Sequence, residues 1–349
     1  MNTIKKWKFK ELKGEFYLVE EPIPELKPNE VLVKVAGCGV CHTDISFWYD
    51  GVKTRKELPL TLGHEISGTV IDGDSKWVGK NVIIPAVLPC GECELCRCGR
   101  SNICQNQLMP GNDFDGGFAS HLIVPSKFLC EVPETTLKKF QLSELSVIAD
   151  AVSTPYQVIK KSELSQNDFA IIFGVGGIGI YAVQIAKLLN AKVLAIDIND
   201  EKLSIASKNG ADAVLNIKDK DFKSIKNSIK DIAKNLGLSS YRWKIFEMSG
   251  TAVAQETAFN LLTFASTLSI VGFTMDKVNI RLSNLMAFDA SIIGTWGCKP
   301  ELYPEIVKYV EEGKINIQEH IEEHSLEEIN EVFKNIIQHK YKKRIILKP

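Results

Sequence analysis

The chain of 349 residues is 45% hydrophobic, enough for two buried cores, and its 42 basic against 43 acidic side chains leave a net charge of -1. That balance excludes the cationic footprint of an electrostatic nucleic-acid binder. No stretch approaches the roughly 18 to 20 apolar residues that span a bilayer, and residues 1–8 lack the apolar core of a secretory signal. A cytoplasmic protein with no membrane partner is therefore expected. Nine cysteines, an odd number, fit a reducing compartment better than a disulfide framework.

From residue 1 to about 150 the pattern is one of short alternating strands and turns, with strands expected over 30–35 and 77–84. Two polar clusters interrupt it. Cys41-His42-Thr43-Asp44 and Gly63-His64-Glu65-Ile66-Ser67-Gly68 together supply a thiolate, an imidazole and carboxylates. Those groups suit an open zinc site, which needs three protein ligands and one position left for water or substrate. Singly each cluster is weak, since a lone cysteine is usually core and a histidine before glutamate is usually a surface pair.

Cys90, Cys93, Cys96 and Cys104 follow in the run C-x-x-C-x-x-C-x7-C. Four thiolates so spaced can surround one ion tetrahedrally and leave no place for water, so a structural zinc is expected, with an iron-sulfur centre as the formal alternative. Cys98 lies inside the loop as a spare thiol.

After Pro155 apolar strands alternate with amphipathic helices: strand 169–173, helix 178–189, strand 192–196, helix 201–208, then strands 244–246 and 267–271. This alternation predicts a parallel doubly wound sheet, an α/β fold. Gly174-Val175-Gly176-Gly177-Ile178-Gly179 is a G-x-G-x-x-G run between a strand and a helix, and Asp197 ends the next strand 18 residues past Gly179. Glycines permit a tight turn, the helix amino terminus offers N–H groups to a pyrophosphate, and a carboxylate at the next strand end accepts bonds from a ribose diol. No arginine follows Asp197, so NAD is expected rather than NADP. Lys202 is a candidate second ribose contact. From about 295 onward helices 304–312 and 326–339 and a closing strand 344–347 are expected.

In the order Cys41, G-H-E-x-x-G, four-cysteine lobe, glycine-rich turn and closing strand, the chain resembles the zinc-dependent medium-chain alcohol dehydrogenases over essentially its full length. That resemblance implies a GroES-like β-rich catalytic domain over 1–153, a Rossmann NAD-binding domain over 154–294 and a return to the catalytic domain over 295–349. It implies NAD, two zinc ions per chain and a homo-oligomer, dimer or tetramer. Cys41 and His64 would be catalytic zinc ligands and Glu65 an outer or transient one. Where the family commonly carries a cysteine the chain carries Asp150, so either Asp150 or Glu65 completes the shell, with Asp150 favoured. Thr43 falls where a hydroxyl takes the alcohol proton, and His42 extends that relay or touches the pyrophosphate. Thr154, Val271 and Thr295 would line the nicotinamide, and Arg344 would meet the pyrophosphate.

Segments 107–113, 117–121, 149–155, 272–277 and 281–288 further resemble the 6-hydroxycyclohex-1-ene-1-carbonyl-CoA dehydrogenases of that family. The implied reaction is oxidation of a ring alcohol carried as a CoA thioester to its 6-oxo form, with hydride passing to NAD, in anaerobic degradation of aromatic compounds. Lys53, Arg55, Lys56 and Arg281 are the candidate cations for the CoA tail. An accessory addition of water to the ring dienoyl-CoA is a further expectation. The rivals are a generic zinc polyol or amino-alcohol dehydrogenase and a non-catalytic protein that binds NAD and zinc.

Overall fold

The computed structural model describes residues 3–349. They divide into two compact units, one running to Ser153 and resuming over Gly297–Pro349, the other Thr154–Trp296. The first unit is built around strand Glu30–Gly39, whose side chains are mostly buried on both faces. It pairs antiparallel with Glu65–Gly73, His121–Pro125 and the closing strand Arg344–Lys348. Asn81–Ile84 and Cys130–Glu131 extend one side of the sheet, and Ile321–Ser325 joins parallel to the closing strand. The register sets Gly39 opposite both Glu65 and Ile346. A Cβ at Gly39 would lie 2.1 Å from the Glu65 Oε2. Glycine is thus required for these strands to close over the Glu65 carboxylate.

The strand expected over 77–84 is shorter than its apolar run. Residues 77–80 form a turn in which Trp77 N donates to Asp74 O and Lys80 N to Trp77 O, with Gly79 at φ +85°, and only Asn81–Ile84 pairs. A left-handed glycine breaks extension whatever the hydropathy around it. Likewise the helix expected over 326–339 begins as the tight turn Leu326–Glu328, capped by Ser325 and Glu328, before Ile329–Ile337 becomes α-helical.

This carboxy-terminal helix anchors the first unit's core. Phe333 meets Phe16 at 4.6 Å between ring centroids, and Trp48 and Phe118 edge-on at 5.4 and 5.7 Å. Asn330 exchanges two 2.8 Å hydrogen bonds with the Phe16 backbone.

The second unit holds six parallel strands in the order Ala213–Asn216, Lys192–Asp197, Phe169–Phe173, Lys244–Glu247, Thr267–Ile270 and Ser291–Gly294. The direction of winding reverses between Phe169–Phe173 and Lys244–Glu247, which opens a crevice at the carboxyl ends of the strands. The fold is α/β with a doubly wound parallel sheet and a β-rich unit, as the sequence predicts. The edge strand Ala213–Asn216 and helix Phe222–Asn235 were not among the predicted elements. The strand is only 4 residues long and largely unburied, whereas the helix buries Ile225, Ile229 and Ala233 at helical spacing. Among the described residues no helix is long and apolar enough to cross a membrane.

Replacing Phe333 by Ala removes the ring shared by three aromatic neighbours. It should cost about 3–5 kcal/mol, read as an earlier urea transition of the first unit by tryptophan fluorescence.

Candidate metal and dinucleotide sites

Cys41 follows strand Glu30–Gly39 and caps the short helix His42–Ile45. Asp44, fully buried, does the capping: its Oδ2 accepts from Cys41 N at 2.9 Å, and its Oδ1 accepts from Gly63 N at 3.1 Å. The same Oδ1 lies 3.3 Å from His64 Nδ1. Gly63 has φ +100°, and a Cβ there would meet Cys38 Sγ at 2.6 Å, so glycine is what turns His64 inward. Asp150 ends the tight helix Ser143–Ala149. Its Oδ2 stands 3.5 Å from Cys41 Sγ and 3.6 Å from His64 Nε2.

Sulfur, nitrogen and oxygen ligands around a tetrahedral ion at 2.0 to 2.3 Å stand roughly 3.4 to 3.6 Å apart. Both separations from Asp150 match that spacing, and the Cys41 sulfur and a His64 ring nitrogen lie within 4.8 Å of one another. Their charges ask for the same thing. Burial works against a proton on His64, yet Asp44, Asp150 and Cys41 outweigh it and hold the imidazole well above the ordinary histidine range. Such a pocket favours a positive charge at its centre.

Glu65 belongs to the same cluster, all of whose ligand atoms lie within 4.8 Å, but its carboxylate is otherwise engaged. Oε2 accepts from Arg344 Nε at 2.6 Å, while Oε1 accepts from Arg344 Nη2 and, at 3.0 Å, from Ala151 N. Burial, with the charge of Asp150, pushes the Glu65 carboxyl up to about 7 against the pull of Arg344. Three donors on its two oxygens argue for the ionised form. Arg344, expected at the pyrophosphate, thus turns Nε and Nη2 onto Glu65. Thr43 Oγ1 lies 3.7 Å from Cys41 Sγ, and His42 beside it is exposed.

In the four-cysteine lobe the sulfur separations are 3.5 Å for Cys93–Cys96, 3.7 Å for Cys93–Cys104 and 3.4 Å for Cys90–Cys104. They far exceed a disulfide's ~2.05 Å and approach the ~3.8 Å edge of a zinc-centred sulfur tetrahedron. Backbone N–H groups of Cys96 and Gln105 bring the Cys93 thiol down to about 6. Cys98 is exposed and faces Leu95 O at 3.3 Å, outside the cluster.

In the second unit Gly174 sits at φ +80°, where a Cβ would strike Ser249 at 2.7 Å, and a Cβ on Gly179 would meet Gly174 O at 1.9 Å. The turn through Gly176, Gly177 and Ile178 closes only with glycine at its two ends. A Cβ on Gly176 would lie 3.6 Å from Lys202 Nζ, which places that lysine over the turn. Asp197 is held at the end of its strand by Val175 N, Ile198 N and Asn199 N at 2.8 to 3.1 Å. Val271 and Thr295 each follow a strand of the parallel sheet at its carboxyl end, and Thr154 is buried in helix Ser153–Lys161.

Sequence reasoning assigned no role to Glu247 or Tyr303, and counted Asp44 only among the carboxylates of the Cys41 cluster, not as the group that holds Cys41 N and Gly63 N. Glu247 is fully buried at the end of strand Lys244–Glu247, where its Oε1 accepts from Ser249 N, Ser249 Oγ and Gly250 N. A glutamate closing an apolar strand before Ser-Gly was its signal. The signal for Asp44 was an acidic residue three positions after the capping Cys41.

These features define a dehydrogenase architecture, with a parallel sheet shaped for a dinucleotide and a separate sheet carrying two metal-ligand sets. Comparison with known proteins agrees. Residues 27–134 match the alcohol dehydrogenase GroES-like domain, and residues 177–312 match the zinc-binding dehydrogenase domain. An alcohol dehydrogenase of Geobacillus stearothermophilus is 31% identical over 344 residues, covering 97% of each chain. The solved alcohol dehydrogenase of Aeropyrum pernix superposes with a TM-score of 0.86 at 27% identity, covering 99% of this chain and 100% of that one. Acetophenone reductase from Geotrichum candidum in complex with NAD gives 0.85 at 25% identity, covering 100% of this chain and 98% of that one. The chain belongs to the zinc-binding alcohol dehydrogenase family and is an NAD-dependent oxidoreductase of that kind, with ligand sets that fit two zinc ions.

Three mutational outcomes follow from this geometry. Cys41→Ser should remove one zinc of two and abolish turnover while the fold survives, whereas Cys93→Ser should empty and loosen the 90–104 lobe; metal analysis and limited proteolysis distinguish them. Asp197→Ala should narrow the preference for NAD over NADP by roughly 10-fold or more, because one repelled charge is worth more than 1.4 kcal/mol in a partly buried site. Steady-state kinetics with both cofactors measures it.

Proposed function

We propose that this chain oxidises a secondary ring alcohol carried as a CoA thioester, passing hydride to NAD. The observation that carries the oxidation is the triad of Cys41, His64 and Asp150 at zinc-ligand spacing, with the Thr43 hydroxyl beside it. Cys41, His64 and Asp150 would hold the catalytic ion, and Cys90, Cys93, Cys96 and Cys104 the structural one. When bound, the catalytic zinc acts as a Lewis acid that acidifies an alcohol, and NAD accepts the hydride. The rest is done by side chains. Asp44 beside Nδ1 keeps His64 turned so that Nε2 faces Asp150, from where it would hold a metal. Glu65 and Arg344 neutralise each other and leave the donor set to Asp150. Thr43 receives the alcohol proton, and His42, exposed next to it, passes it to water. Asp197 binds the adenosine ribose, and Lys202 reaches over the glycine turn toward the same group. Thr154, Val271 and Thr295 bound the nicotinamide.

The thioester rests on the segments 107–113, 117–121, 149–155, 272–277 and 281–288. Of the cations proposed for the CoA tail, Arg55 is paired with Asp113 at 3.1 Å and Lys56 with Asp115 at 2.6 Å. Arg281 Nε donates to Ser283, and Lys53 is exposed. Lys53 is therefore the cation whose contact with an anionic tail would cost least. A homo-oligomer is supported by Phe273, Met275, Leu282 and Met286, each more than half exposed, close in sequence to the edge strand Ser291–Gly294.

The decisive experiment measures NADH formation on 6-hydroxycyclohex-1-ene-1-carbonyl-CoA, its free acid, simple polyols and an amino alcohol. The thioester should show the highest kcat/KM, with kcat as well as KM worse for the free acid, since remote binding energy positions the reacting carbon. Equal efficiency on polyols would return the chain to a generic zinc polyol or amino-alcohol dehydrogenase. Incubation with cyclohexa-1,5-diene-1-carbonyl-CoA in the absence of NAD tests the accessory hydration, whose product is the hydroxylated thioester.

A further inference from the structure

Tyr303 is among the largest fully buried side chains, and its phenol group is aimed at the segment that carries Asp150. The hydroxyl donates to Ala149 O. Ser153 Oγ lies 3.3 Å from that hydroxyl and 3.2 Å from the same carbonyl, closing a three-membered knot. On the other side Ala151 N donates to Glu65 Oε1 at 3.0 Å and Val152 N to Val147 O at 3.1 Å. Asp150 thus sits between two pinned peptide groups.

The reason for so much restraint is in the side chain. An aspartate places its ligand oxygen through two torsions, χ1 and χ2, and either oxygen can be presented. A metal site tolerates errors of only a few tenths of an ångström in ligand position. A carboxylate ligand therefore needs a backbone that does not drift, and the restraint on the carbonyl side comes from Tyr303. Tyr303 itself is placed from the lobe side: it opens helix Tyr303–Glu311 directly after the turn Pro300–Leu302, whose Glu301 accepts from Ser101 Oγ at 3.1 Å. Ser101 in turn begins the short helix Ser101–Ile103, next to the lobe ligand Cys104.

We propose that Tyr303, with Ser153, is the positioning residue for Asp150: it sets the backbone from which the carboxylate reaches the catalytic metal, without touching metal or substrate. The inference rests on Asp150 being a ligand.

The test is chelator competition on the zinc-loaded full chain, with bound metal counted and NADH affinity followed by fluorescence. Asp150→Ala identifies the catalytic-site ion as the one it releases. Tyr303→Phe keeps the buried ring and leaves Ala149 O bonded to Ser153, so the fold should survive. It should release the catalytic-site ion at roughly 10-fold lower chelator concentration, while lobe zinc, NADH affinity and the thermal transition stay unchanged. Ser153→Ala should move the same ion in the same direction by less. An unshifted release profile for both variants overturns the proposal, and so does a parallel loss of both ions with a lowered transition, which would mean general loosening. If Tyr303→Phe fails to fold, Ser153→Ala alone decides. Should Asp150→Ala itself retain both ions, the ligand assignment fails instead, and the two failures are distinguishable.

Discussion

The ion pair between Glu65 and Arg344 is the contact on which the first unit depends. Both side chains are enclosed, with 0% and 7% of their surfaces exposed. Taking two charges from water costs several kcal/mol per ion, and only good geometry with every lone pair met offsets it. Here the geometry is bidentate, and Ala151 N supplies a further donor. The pair joins strand Glu65–Gly73 to the closing strand Arg344–Lys348 across Gly39, which has no side chain to intrude. Because His64 precedes Glu65 and Ala151 follows Asp150, two of the candidate metal-ligating residues are fixed as neighbours of the pair. The chain returns to its first unit after 143 residues of a second one, and its closing strand brings Arg344 back to Glu65.

Within each unit one device recurs, a carboxylate that gathers backbone N–H groups, fully buried at Asp44 and Glu247 and half-buried at Asp197. Asp44 takes those of Cys41 and Gly63, Glu247 those of Ser249 and Gly250, and Asp197 those of Val175, Ile198 and Asn199. Asp197 and Glu247 each close a turn at the end of a strand, and Asp44 closes the start of helix His42–Ile45. Charged acceptors make these bonds stronger than neutral ones. In the four-cysteine lobe the sulfurs play the acceptor role: Cys104 Sγ faces Cys90 N and Asn106 N at 3.3 Å, and Cys90 Sγ faces Cys93 N at 3.4 Å. The ligand loop is shaped by its own backbone as well as by the ion it suits.

Much of this was legible in the chain itself. Residues 169–173 and 193–196 are continuous apolar runs, and a parallel buried sheet accommodates them in alternation with helices. The four-cysteine spacing and the glycine run are local, because their groups meet within a single loop, so spacing along the chain already encodes distance in space. Where hydropathy alone was followed the reading overran. Residues 77–80 look like strand but turn at Gly79, since a backbone dihedral is not visible in an apolar pattern.

The sequence by itself determined which groups are available: a thiol, an imidazole and two carboxylates for one ion, four thiols for another, and a glycine turn with Asp197 for a dinucleotide. It left open whether Asp150 or Glu65 stands nearer to a ligand's place, and it pointed Arg344 at the cofactor. Only the tertiary structure decided how those groups pair. Cys41 and Asp150 are separated by 109 residues and Glu65 and Arg344 by 279, so no pattern of neighbours could reveal that the first two meet at 3.5 Å while the second two engage each other. Charge is non-directional along the chain, but in a dry interior every ionised group must find its partner. For Glu65 and Arg344 the choice of partner is settled by strand register within the first unit, whose core that sheet carries.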